Sequence, residues 1–95
     1  MDIQVSHIVQ ATAGRDKGRL FFVLRVEEGG YLLLADGKGR KLERPKRKKL
    51  RHVCFIADGD SRVAQKLQKG EKVTNSELRR ALAAFQAKAN EQEAK

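Results

Sequence analysis

Gly14-Arg15-Asp16-Lys17-Gly18-Arg19-Leu20-Phe21-Phe22-Val23-Leu24-Arg25-Val26 is the stretch on which the fold turns. Glycine closes the loop at both ends, so the backbone can enter conformations that other residues avoid. From Arg19 onward the period is two. Leu20, Phe22, Leu24 and Val26 share one face of a pleated strand, and Arg19 and Arg25 mark the other, together with Phe21 and Val23. Working outward, a strand over Val5–Ala13 leads into the loop. Glu27-Glu28-Gly29-Gly30 reads as a hairpin connection to a strand over Tyr31–Ala35. Asp36-Gly37-Lys38-Gly39 is the next turn. A short fourth strand over Arg40–Glu43 is expected before Pro45, which lacks a donor and discourages a central strand. Arg51–Ala57 is the fifth, with Val53, Phe55 and Ala57 alternating against His52, Cys54 and Ile56. Short strands in close succession with glycine-bearing turns predict a small barrel rather than an open sheet.

After Asp58-Gly59-Asp60 the period changes. Ser61–Gln68 suits a short helix capped by Asp60 or Ser61 and stopped by Gly70, with Val63, Ala64 and Leu67 on one side. Thr74-Asn75-Ser76-Glu77 matches a capping box, Thr74 as N-cap and Glu77 at N3. Leu78, Leu82, Phe85 and Ala89 then follow helical spacing to about Asn90, and Glu91–Lys95 is expected to fray. The fold class is therefore α+β: a five-stranded barrel over residues 1–58 with one or two helices over 59–95, all one domain, as 95 residues leave no room for a second, independently folding core.

Charge points to the partner. Lys and Arg outnumber Asp and Glu by 21 to 12, a net charge of +9. Between Lys38 and Arg51 stand nine basic residues (38, 40, 41, 44, 46, 47, 48, 49 and 51) against Glu43 alone. That window carries nine minus one, or +8, so the rest of the chain is nearly neutral. A localised patch implies a docking surface for a polyanion. Lys38, Arg40, Lys41, Arg44, Lys46, Arg47, Lys48, Lys49 and Arg51, with Arg15, Lys17 and Arg19 of the first loop, are the candidate phosphate contacts. Aromatic residues are few, so base stacking is expected at most at Phe21 and Tyr31, whereas Phe22, Phe55 and Phe85 read as packing residues. For Phe21, burial beneath the C-terminal helix is the favoured reading over stacking. Abundant charge with scarce stacking platforms favours a duplex or folded nucleic acid over single strands, and charge alone does not separate RNA from DNA.

Other chemistries find little support. His7 and His52 have no carboxylate or cysteine partners at ligand spacing, and Cys54 reads as a small buried hydrophobe. The glycine loop lacks the spacing of a nucleotide-binding P-loop. No Ser, His and acid stand in a catalytic pattern, so no enzyme activity, cofactor, metal or small-molecule substrate is expected. Met1–Gln10 has neither the basic nor the apolar region of a signal peptide, and no apolar run approaches the roughly 20 residues of a membrane span. With one cysteine and no such segment, a soluble cytoplasmic protein without a membrane partner is expected.

Val9-Gln10-Ala11-Thr12-Ala13-Gly14-Arg15-Asp16-Lys17-Gly18-Arg19 resembles the KOW motif, in which alternating apolar residues lead into a Gly-x-x-Lys-Gly turn. With Ala35-Asp36-Gly37 and Arg40-Lys41-Leu42-Glu43-Arg44-Pro45-Lys46-Arg47-Lys48-Lys49, the chain is similar to bacterial KOW-domain RNA-binding proteins, relatives of certain archaeal and eukaryotic large-subunit ribosomal proteins. The resemblance spans roughly Val5–Ala57. It implies an SH3-like barrel and binding to structured ribosomal RNA or the ribosome, with ribosomal proteins as further neighbours. Many KOW motifs open with glycine where this chain has Ser6, and carry another where it has Phe21. The rival expectations are a protein-binding adaptor, using the apolar stripe of the last helix, and a transcription-associated module like that of NusG.

Overall fold

The computed structural model describes residues 2–59 and 61–93, the side chains of 92 and 93 excepted. The alternative cap Asp60 and residues 94–95 of the expected frayed end lie outside the described residues. The chain forms β1 (Ile8–Ala11), β2 (Leu20–Glu27), β3 (Tyr31–Ala35) and β4 (Lys46–Lys49), then a 3-10 turn (Leu50–His52) and β5 (Val53–Ala57). Helices α1 (Arg62–Lys69) and α2 (Asn75–Glu93) follow. The strands make one antiparallel sheet in the order β4-β3-β2-β1-β5.

Two boundaries differ from the sequence expectation for a physical reason. β1 begins only at Ile8, because Ser6 turns the backbone into the left-handed region (φ 78°). Arg40–Glu43 is not a strand. Its neighbourhood spends its amide hydrogens on side chains: Asp36 Oδ1 accepts from the Lys38 and Arg40 N–H at 3.0 and 2.8 Å, and Asn75 Oδ1 accepts from Leu42 N–H at 2.8 Å. The fourth strand instead follows Pro45 and lies inside the basic run, pairing Lys46 with Leu34 and Lys49 with Tyr31. An all-cationic strand is tolerated at a sheet edge, where lysine discourages pairing with other chains.

Both faces of the sheet are buried. Ile8, Phe22 and Ala35 pack beneath Val63, Ala64, Val73, Leu78 and Leu82 of the helical layer. Val9, Ala11, Phe21, Val23, Leu32, Leu34 and Val53 form a second core on the opposite face, with Ile3 against it. The alternation in β2 thus marks two cores rather than one. Burying Phe21 and Phe22 stabilises the fold by roughly 1.5–3 kcal/mol each. A register shift between Val23 and Arg25 bends β2 and sharpens its twist.

The helices are capped as the sequence requires. Ser61 Oγ accepts from Ala64 N–H, and Gly70 ends α1 in the left-handed region. Thr74 and Glu77 form the reciprocal box: Thr74 Oγ1 accepts from Glu77 N–H at 3.1 Å, and Glu77 Oε1 from Thr74 N–H at 3.0 Å. α2 runs beyond Asn90 to Glu93. Leu78 and Leu82 are buried and Ala81 and Phe85, partly buried, pack beside them, so the first half of the apolar stripe of α2 is spent on the protein's own core. Among the described residues no helix is long and apolar enough to cross a membrane.

Candidate nucleic-acid interface

The first loop and the turn after β3 lie side by side, locked by a crossed pair of ion bridges. Arg40 of the turn grips Asp16 of the loop, Nη2 to Oδ2 at 2.9 Å and Nε at 3.3 Å. Arg19 of the loop reaches Asp36 of the turn at 3.5 Å and Asp16 at 3.4 Å. Burial pushes the Asp16 carboxyl up, but the hydrogen bond from Arg40 and the charges of Arg40, Arg19 and Lys46 outweigh it and hold the group below the usual aspartate range. Asp16 is only 4% exposed. The two loops therefore form one rigid rim, from which Arg15, Lys17 and Lys38 project into solvent.

The candidate phosphate contacts divide into two groups. Arg15, Lys17, Lys38, Lys41, Arg44, Lys46, Lys49 and Arg51 have side chains that make no hydrogen bond or ion pair among the described residues. They are spread over the loop rim, the 41–44 turn, the edge strand β4 and the 3-10 turn, with Lys46 on the same side of β4 as Lys48 and only partly exposed. Arg19, Arg40, Arg47 and Lys48 are already engaged inside the protein.

Lys48 is the clearest correction. It stands opposite Leu32, on the buried side of β4, and is 8% exposed. Its ammonium donates to the Ala13 carbonyl at 2.7 Å, so it acts as an internal tie and cannot reach a phosphate. Arg47 points the other way, donating from Nε to Glu27 Oε1 at 2.9 Å while its guanidinium carbon sits 3.7 Å from the centre of the Tyr31 ring. Tyr31 keeps part of its surface in solvent. Phe21 is fully buried in the second core and is withdrawn as a stacking residue.

Three smaller expectations also change. Cys54 is exposed rather than buried, because β5 turns Val53 inward. Phe55 is only partly buried and meets the edge of His7, ring centres 5.1 Å apart. His7 does have a carboxylate nearby, Asp58 at 3.4 Å, but the described residues hold no cluster of three metal-ligating side chains. Two further cations stand beside the expected phosphate contacts without having been counted among them. Arg25 is exposed and adjoins Leu33, across which stands Arg47. Arg79 of α2 is exposed and donates to the Gly37 carbonyl at 3.3 Å, beside the loop rim. Strand parity signals the first, whereas the second depends on where α2 docks.

Searched against known protein families and curated proteins, the sequence matches none.

Proposed function

We propose that this chain is a non-enzymatic RNA-binding protein of the KOW type that grips the phosphates of structured RNA, ribosomal RNA foremost, in the cytoplasm. The observation that carries the reading is a set of eight cations whose side chains have no partner among the described residues, six of them exposed and Lys46 and Lys49 partly so, while the four other candidate cations are engaged within the protein. A purely structural or solubilising role gives no reason for this separation. Fixed cations along a rigid rim and strand suit a backbone that presents phosphates at regular intervals. The choice of RNA over DNA, and of the ribosome, rests on the family resemblance.

Several features support the KOW assignment and an SH3-like barrel. Gly14 and Gly18, the ends of the Gly-x-x-Lys-Gly turn, both adopt positive φ between two antiparallel strands. Ser6, at the position where many KOW motifs have glycine, is the one non-glycine described residue with positive φ. The edges β4 and β5 are joined by only Leu50–His52, and Lys48 on one edge reaches Ala13 beyond the end of β1, three strands away. Such a link and such a reach favour a sheet curled around the second core, to which, among the described residues, no helix contributes.

The test is the salt dependence of binding to a folded ribosomal RNA fragment, read by fluorescence anisotropy. With about five to seven phosphates engaged, log K against log salt falls with a slope on the order of −4 to −6. Replacing Arg15, Lys17 and Lys38 with Ala should flatten the slope by roughly 3 without unfolding the protein. A slope near zero, or one unchanged by the substitutions, overturns the reading.

A further inference from the structure

The end of the sheet remote from the loop rim carries a recess bounded by Gly29, Gly30, Tyr31, Lys49, Leu50 and Arg51. Gly29 and Gly30 present bare backbone to it, since both lack side chains. Its apolar wall is Leu50, 41% exposed although hydrophobic. The wall is fixed in place, because Leu50 N–H donates to the Gly30 carbonyl at 2.7 Å and ties the β2–β3 turn to the 3-10 turn. Lys49 and Arg51 flank Leu50 in sequence and make no ion pair among the described residues.

Tyr31 supplies the aromatic surface. The Arg47 guanidinium packs over its ring, and Glu27 holds Arg47 at 2.9 Å. Arg47 is not among the residues bounding the recess, so this stack steadies the ring without filling the cavity. A ring held before the ligand arrives lowers the ordering cost of binding.

We infer that the recess takes one unpaired nucleobase, stacked on Tyr31 against Leu50, while Lys49 and Arg51 hold the adjoining phosphates. This deepens the RNA-binding reading above and rests on it. The chemistry is complementary in both parts: a flat apolar ring needs an aromatic partner and an apolar wall, and its sugar-phosphate backbone needs flanking cations. An acidic peptide would satisfy only the cations. Because Tyr31, partly exposed, is the one aromatic residue among those bounding the recess, one base is selected rather than a run of them. The preferred RNA is a helix interrupted by a bulged or flipped-out nucleotide.

The protein contains one tyrosine and no tryptophan, so Tyr31 gives a single, unambiguous set of aromatic NMR signals. The probes are a short fully paired RNA duplex, the same duplex with a single bulged adenosine, and a third with an abasic residue at the bulge. The bulged duplex should bind more tightly than the other two by roughly 5-fold or more, and should move the Tyr31 ring signals upfield. Tyr31→Ala should abolish the preference for the bulged duplex, and Tyr31→Phe should retain it. Leu50→Glu, at an exposed position, should lower affinity for the bulged duplex most. Equal binding of the three duplexes, with unmoved Tyr31 signals, overturns the recess as a base site and leaves the phosphate-binding reading standing. Failure of all three to bind in a salt-dependent way overturns both.

Discussion

Lys48 and Lys49 are neighbours in one basic run, yet β-strand parity sends the first into the protein beside Leu32 and the second outward beside Tyr31. The inward ammonium satisfies the Ala13 carbonyl, so Lys48→Ala should cost about 1–3 kcal/mol of stability by leaving that bond unmade. Lys49→Ala should change stability by no more than about 0.5 kcal/mol while weakening RNA binding. Urea midpoints for the two variants, set beside their RNA affinities, check both expectations. The same distinction applies to acids. Asp16 has a folded-state pKa below its unfolded value, so the unfolded chain takes up its proton first as acid is added. Its contribution is complete above about pH 4 and fades as pH falls through the lower folded value. The stability gap between the wild type and Asp16→Asn should therefore be large at about pH 7 and narrow at about pH 3, measured by urea denaturation. These roles were not legible in the sequence. A loop with alternating charges reads as solvated until its neighbour across the sheet is known, and the Asp16–Arg40 contact joins residues from two separate turns.

Elements with local determinants were readable. The capping box at Thr74 and Glu77, the Ser61 cap and the Gly70 stop each depend on residues within one turn of the helix end, and each sits where the pattern indicates. β2 and β3 followed from alternation and glycine turns. β4 was misplaced because its residues, Lys46–Lys49, have no apolar alternation and low strand propensity; what makes them a strand is pairing with β3. The turn that displaces it also anchors α2. Gly37 lies at φ 77°, and a Cβ there would collide with the Asn75 carbonyl at the start of the helix. Gly37→Ala should therefore destabilise the protein by about 2 kcal/mol or more and loosen α2 from the loop rim. Hydrogen exchange should show faster exchange in α2 than in β1 and β2. Unchanged protection of α2 would mean that this contact does not hold the helix.

At the scale of the whole molecule, the net charge of +9 and its concentration between Lys38 and Arg51 were legible at once. Their partition was not. Part of the basic run builds the fold, and a four-alanine change across Lys46–Lys49 would remove the Lys48 tie and the Arg47–Glu27 bridge along with any phosphate contacts. A fair test of function must spare those two. Sedimentation of cell lysate through sucrose gradients at low and high salt does so, comparing the wild type with a variant carrying Ala at Lys38, Lys41, Arg44 and Lys49. The wild type should travel with a ribosomal subunit at low salt and leave it at high salt, and the variant, folded by circular dichroism, should stay at the top. If wild type and variant co-migrate equally with the subunit at high salt, or neither leaves the top of the gradient, the exposed cations do not hold this protein on ribosomal RNA.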